Sequence, residues 1–361
     1  MSNDGCDIGW VEAEGDHRQI GRALGAAGRD ALHAHLVPSE IWKTVTDAVH
    51  APLVQRLARE TKARFPHIWS ELEGLAEGLE LPLDPVFAWN CRGDLLTSVP
   101  DGCTTVQLPG TEPIIAHNED GLPFFRGFCF MAAVRCSTAS TFTSFCYPGS
   151  LPGHTFAVTG AGLVQAVNNL RLLRIVPKVP RMVLGRAVLD APDIDSALDL
   201  LRAAPPSGGF HVTLAQRGIG RLVSVEFGTG TPAIWDVETP SVHANHALHL
   251  ANGMDEQVVT QSSRDRQDRG TSLLSAGSPD ALTLLLDQSG PGLPIHREDP
   301  DDPDHENTLA TAVLRVKKER VEWSVYDKFT NVPVYRGKEA EHRPSWLRRR
   351  TSGSDASDRP R

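Results

Sequence analysis

A chain of 361 residues, 40% apolar and 22% charged, has enough material for a large buried core under a soluble globular surface. Its net charge of -9 argues against a nucleic-acid partner, since phosphate binding draws on clustered Lys and Arg. The single basic run, Arg348-Arg349-Arg350, lies in a polar tail, and no stretch approaches the roughly 20 apolar residues that cross a bilayer. With no secretory h-region at the N-terminus, a cytoplasmic protein without a membrane partner is expected.

The first hundred residues read as helical. Small and apolar residues recur at helical spacing over 16–36, and the pattern resumes over 52–79, where Pro66 should kink or split it. A short helix over 87–96 carries Asn90, Arg92 and Asp94. After Pro100 the period changes to two. Runs at 104–108, 114–117, 128–134 and 141–147 read as consecutive strands of an antiparallel sheet. A further pair, 154–158 and 163–169, turns through Gly160-Ala161-Gly162. Helices are predicted at 181–189, 194–203, 263–274 and 279–287, with strands at 211–216, 222–227, 233–237, 308–316 and 320–326. This segregation favours sheets flanked by helical layers over a parallel βαβ repeat. Beyond about residue 343 the chain reads as disordered.

Six cysteines, with no CxxC pair, are too sparse for a disulfide scaffold or a zinc motif, so most should be buried small hydrophobes. One sits in different company. In Asp101-Gly102-Cys103-Thr104-Thr105 a nucleophile follows a flexible glycine where helical periodicity gives way to strand. The Cys103 thiol could attack the Gly102 carbonyl, and hydrolysis of the resulting thioester would free an α-amine. That amine, with a reference pKa of roughly 7.7–8.0, can act as base to its own thiol. The same pentapeptide also fits a buried strand cysteine after a glycine turn.

The segment Asn118-Glu119-Asp120-Gly121 would return beside Cys103 in a hairpin, where Asp120 could hold the new ammonium; it also fits a plain turn. At Val242-His243-Ala244-Asn245-His246, Asn245 could offer its side-chain N–H to an oxyanion, or the segment could be an ordinary polar strand end. His243, His246 and His249 are three apart, but a strand would split them across two faces, so no metal and no cofactor are expected. Asn90 and Arg92 could line the site, though they fit better a structural role that anchors the segment leading to the cleavage point.

Together these segments resemble the acyl-coenzyme A:isopenicillin N acyltransferase family, which are self-processing N-terminal-nucleophile hydrolases. Trp89-Asn90-Cys91-Arg92, the stretch 162–169, Val225-Glu226-Phe227 and Ser263-Arg264-Asp265-Arg266-Gln267 extend the likeness. The resemblance implies an α+β fold, a four-layer αββα sandwich with two stacked antiparallel sheets. It implies cleavage between Gly102 and Cys103, giving a small chain (1–102) and a large chain (core 103–343, tail 344–361) that stay associated. It implies Cys103 as nucleophile, Asp120 as supporting carboxylate and Asn245 as oxyanion residue. The partner implied is a small-molecule acyl donor, a coenzyme A thioester or an amide. The family also places an arginine just before the penultimate strand. Here Asp304-His305-Glu306-Asn307-Thr308 has none, leaving Arg126 or Arg186 as candidate replacements.

Overall fold

The computed structural model describes residues 6–99, 101–251, 256–277 and 280–340, so the predicted tail over 344–361 lies outside the described residues. The chain opens with a strand, β1 (Gly9–Gly15), where helix alone was expected. Its partner is β4 (Phe130–Cys136), in parallel register from Gly9↔Phe130 to Gly15↔Cys136. A short, acidic edge strand whose partner lies over a hundred residues away leaves little local signal.

Helix α1 (His17–Ala31) starts at Asp16, whose carboxylate accepts from Gln19 N–H in a capping box. After α2 (Glu40–Val45), the predicted helix over 52–79 is split at Pro66 into α3 (Ala51–Arg64) and α4 (Pro66–Leu79). Helices α1 and α4 press backbone to backbone, because a Cβ at Gly21, Gly25, Gly74 or Gly78 would run into the facing helix. Two short helices, α5 (Leu83–Asn90) and α6 (Arg92–Leu95), lead to β2 (Asp101–Leu108).

Strands β2, β3 (Ile114–Gly121) and β4 were expected to be neighbours in one sheet. Instead the chain changes sheets after β3. Strand β4 pairs with β5 (Thr141–Cys146), followed by β6 (Phe156–Thr159) and β7 (Leu163–Leu170), with the glycine turn between them. Helices α7 (Arg181–Val188) and α8 (Ile194–Ala203) follow, then β8 (Gly209–Gln216), β9 (Leu222–Phe227), β10 (Ala233–Asp236) and β11 (Ser241–His243). The last elements are α9 (Gln261–Ser275), α10 (Ala281–Leu285), β12 (Asn307–Val316), β13 (Val321–Tyr326) and an unpredicted β14 (Tyr335–Lys338).

Two sheets result, ordered β1-β4-β5-β6-β7-β8-β9-β10 and β11-β2-β3-β12-β13-β14. Among the described residues all strand pairs are antiparallel except β1–β4. The sheets stack through β2 and β7, with α1 and α8 on the larger sheet and α9 and α10 on the smaller. This is the four-layer αββα arrangement. The main core runs between the sheets and under the N-terminal helices, so residues before and after Gly102 share one interior. A buried ion pair joins them too: Glu71 of α4 takes Arg186 of α7 at 2.9 Å and His17 of α1 at 3.0 Å. Among the described residues no helix is long and apolar enough to cross a membrane.

Candidate active site

All six cysteines are free thiols. Burial pushes Cys91 and Cys129 well above the usual thiol range and Cys146 up to about 12. These three fit the role of buried hydrophobes. Cys103 is also buried, at 2% exposure, but polar groups surround it.

The register of β2 and β3 sorts those groups. Gly102 lies opposite Asp120, Cys103 opposite Glu119, Thr104 opposite Asn118 and Thr105 opposite His117. Since side chains alternate along a strand, Cys103, Thr105, Glu119 and His117 share the face turned to the other sheet. There Cys103 Sγ is 3.7 Å from Glu119 Oε2, and Glu119 Oε2 is 3.0 Å from His117 Nε2. Tyr147, one residue past the end of β5, donates to Glu119 Oε1 at 2.9 Å. Thr105 Oγ1 lies 2.8 Å from His117 Nδ1 and donates to Asn168 Oδ1 of β7 at 2.6 Å. Full burial lowers the His117 pKa to about 3, so its ring is neutral.

The opposite face carries charge. Asp120 accepts from Thr308 Oγ1 at 2.6 Å, and its Oδ2 is buried with no hydrogen-bond partner among the described residues. A Cβ on Gly102 would land on the Glu306 carboxylate, which is held by Arg171 at 2.9 Å and by Arg297. Arg297 also grips Asp302, with Nε to Oδ2 at 2.9 Å. Burial raises Glu306 to about 7 even against the pull of Arg171 and Arg297.

Asn245 joins this site from beyond the end of β11. Its Oδ1 accepts the Cys103 backbone N–H at 2.9 Å and Arg266 Nη2 at 2.7 Å, while its Nδ2 donates to Asn169 O at 3.2 Å. The amide therefore turns its oxygen to Cys103, where the sequence reading had its N–H facing an oxyanion. Arg266, fully buried on α9, also donates to Cys103 O and, at 2.8 Å, to Thr104 Oγ1. The Asn245 N–H donates to Ser263 Oγ at 2.9 Å, and that hydroxyl lies 2.8 Å from His246 Nδ1.

Cys103 and Asn245 are thus brought together. Asp120 is brought beside Gly102, and its side chain lies on the other face of the strand from Cys103 Sγ. The residues missed were Glu119, His117 and Arg266. The first two carried a signal, since Thr105 and Gln107 alternate on β2 as His117 and Glu119 do on β3. Arg266 lay within a quoted motif without a role assigned to it.

The three histidines weighed as a metal set diverge. His243 meets Glu226 at 2.9 Å, His246 meets Ser263, and His249 packs on Trp235. Neither suggested replacement arginine is free beside Cys103. Arg186 is committed to Glu71 and Asp190, and Arg126 donates to Thr308 O at 3.2 Å. Asn90 is structural, bridging Val86 O, Gly149 O and Leu151 N–H. A small aromatic cleft on the Tyr147 side of Glu119 is lined by Trp89, Arg92, Val99, Leu122, Phe125 and Tyr147.

The family described as acyl-coenzyme A:6-aminopenicillanic acid acyl-transferase matches residues 107–328. This chain belongs to that family. The matched span holds Asp120 and Asn245 and begins four residues after Cys103. Among solved structures, the chain is similar to a Caenorhabditis elegans N-acylethanolamine-hydrolyzing acid amidase (NAAA) ortholog. Identity is 10%, with 59% of this chain and 92% of that chain covered and a TM-score of 0.43. No protein among the curated ones matches. The family is described as one of acyl-transferases, and the two-sheet sandwich is the fold that the resemblance implies.

Proposed function

We propose that this chain cuts itself between Gly102 and Cys103 and then works as a cysteine amidohydrolase or acyltransferase. The Cys103 sulfur attacks the Gly102 carbonyl, the Cys103 nitrogen leaves with a proton, and water hydrolyses the thioester to free the Gly102 carboxylate. The observation that carries this reading is the 2.9 Å hydrogen bond from the Cys103 N–H to Asn245 Oδ1, which spans 142 positions of sequence. An amide oxygen already on that nitrogen is suited to hold the amine that cleavage releases. Asp120, with one unused buried oxygen across from Gly102, supplies a second acceptor for the ammonium form.

The freed amine then serves as base to the Cys103 thiol, and catalysis is ping-pong through an acyl-enzyme. The donor fitting the family is a small-molecule coenzyme A thioester or amide, and the acceptor is water or an amine. We assign the acyl group to the aromatic cleft beside Tyr147, which would have to widen to admit it. At 2% exposure Cys103 is closed to an external donor in the continuous chain, which suits an inactive precursor. The β1–β4 pairing and the Glu71–Arg186 ion pair would keep the small and large chains together after the cut.

Intact mass tests the proposal. Wild-type protein should give two fragments divided after Gly102, and Cys103→Ala should give one. A single wild-type chain that stays uncut in the presence of a chelator would sink it and favour a binding protein on the same scaffold.

A further inference from the structure

Three side chains that bind metals converge between the sheets: Cys103, His117 and Glu119 each bring one ligand atom to within 4.8 Å of the other two. The hydrogen atoms on the His117 side can be followed one by one. Asn168 spends its Nδ2 on His243 O at 3.0 Å, so the atom that meets Thr105 is an oxygen. Thr105 therefore gives its only hydroxyl hydrogen to Asn168, and the Thr105–His117 contact must use a hydrogen on His117 Nδ1. His117 Nε2 is then left with a lone pair, 3.0 Å from a carboxylate oxygen. Two acceptors at that distance need a cation between them, either a proton or a metal ion.

We propose that this trio is a divalent-metal site, with zinc the fitting ion, and that the bound ion holds the Cys103 thiolate latent. Thiolate, imidazole and carboxylate form a donor set that suits zinc. In a tetrahedral zinc site the sulfur–oxygen and nitrogen–oxygen separations are roughly 3.6 and 3.3 Å. Here they are 3.7 and 3.0 Å. One thiolate and one carboxylate neutralise a dication, so the buried site carries no net charge. The surrounding bonds are those that metal ligands need: Thr105 fixes the His117 tautomer, and Tyr147 holds the second Glu119 oxygen. The fourth position is open to water. In a cleaved chain the Cys103 amine would take it, closing a five-membered chelate with its own sulfur.

Coordination draws charge from the thiolate and weakens it as a nucleophile, so the ion would suppress both self-cleavage and acyl transfer until it is removed. That consequence rests on Cys103 being the nucleophile, whereas the ion site itself does not.

Full-length protein is titrated with Co2+ alone and read by its thiolate-to-cobalt charge-transfer band, with Zn2+ as competitor. The expected result is one ion per chain, with the band lost in Cys103→Ser and kept in Cys6→Ser. Glu119→Gln and His117→Gln should each weaken binding by at least about 100-fold, the upper end of what loss of an outer-shell partner costs. A wild-type chain without the band, or a band that survives in Cys103→Ser, overturns the proposal. Should the His117 and Glu119 variants fail to fold, melting decides: Zn2+ must raise the midpoint of wild type and leave Cys103→Ser unmoved. An unshifted wild type overturns the site. In parallel, Zn2+ should stop fragment formation and a chelator should restore it. A wild type that stays whole with chelator present defeats the self-cleavage reading alone, and the cobalt result still judges the site.

Discussion

The two faces of the β2–β3 hairpin differ in kind. The face turned to the other sheet carries a chain of close polar contacts, running from Cys103 through Glu119, His117 and Thr105 to Asn168. The face turned outward carries an ion cluster, in which Arg297, Arg171, Glu306 and Asp302 crowd against Gly102 and Arg266 reaches Cys103 O. The nucleophile side chain is on the first face, and the α-carbon of the residue before it opens onto the second. A hydrogen-bonded face can lose one partner at modest cost. A buried ion cluster cannot, because each charge removed strands another.

The largest effect expected is therefore on the charged side. Arg297→Met leaves Glu306 and Asp302 without their main partner, and loss of one member of a buried pair costs about 3–5 kcal/mol. Urea denaturation should show the midpoint fall without a change of slope, and adding Glu306→Gln should recover part of the loss. If Arg297→Met costs no more than a hydrogen bond, the contrast between the faces fails. Next comes Asn245→Ala, which removes the acceptor shared by Cys103 N–H and Arg266. By analogy with the loss of one preorganised amide in acyl transfer, fragment formation should slow by about 100-fold. A time course by intact mass reads that rate directly.

How far the sequence already showed this architecture depended on where each partner lay. The change of period near residue 100 and the helix break at Pro66 are local signals, and both appear in the fold as expected. Strand β1 is short and acidic, and it gains its order from β4 across more than a hundred residues, which periodicity cannot report. Glu119 was hidden for another reason. Asn118-Glu119-Asp120-Gly121 has the composition of a turn, yet all four residues are buried in a strand. Asn118 finds Leu285 O and Thr311, Glu119 finds Tyr147, and Asp120 finds Thr308, all supplied by distant elements. Cys103 and Asn245 were each legible as candidates in their own segments, and the family resemblance joined them in one site. Which end of the Asn245 amide faces Cys103 was not, because Arg266 and Asn169 set that orientation.

The hydrogen-bonded face should yield less to mutation. Thr105→Val keeps the shape and removes the partner of His117 Nδ1, which leaves one buried donor unmet, for about 1–3 kcal/mol. The same variant should weaken Co2+ binding if Thr105 fixes the imidazole tautomer. A loss equal to that of Arg297→Met would erase the distinction between the two faces.

The smallest effect concerns pH and the link from His246 to Asn245. Burial, helped by His243 and Arg266, lowers the His246 pKa to about 4. The neutral ring accepts the Ser263 hydroxyl hydrogen, which leaves Ser263 Oγ free to accept the Asn245 N–H. A folded pKa below the unfolded value of about 6.5 means that the fold favours the neutral ring. Its contribution is present above pH 6.5 and is lost as pH falls towards 4. His246→Gln should therefore make the acid limb of the stability curve shallower, by less than one proton because the ring is partly exposed. Protonated His246 donates to Ser263 Oγ instead of accepting from it, so the hydroxyl hydrogen must find another acceptor and the oxygen is shared between two donors, which weakens its hold on the Asn245 N–H. Fragment formation in wild type should accordingly slow over the same pH range, while His246→Gln, whose amide oxygen still accepts from Ser263, stays flatter. Parallel slopes in the two proteins would mean that His246 has no part in holding Asn245 on the Cys103 nitrogen.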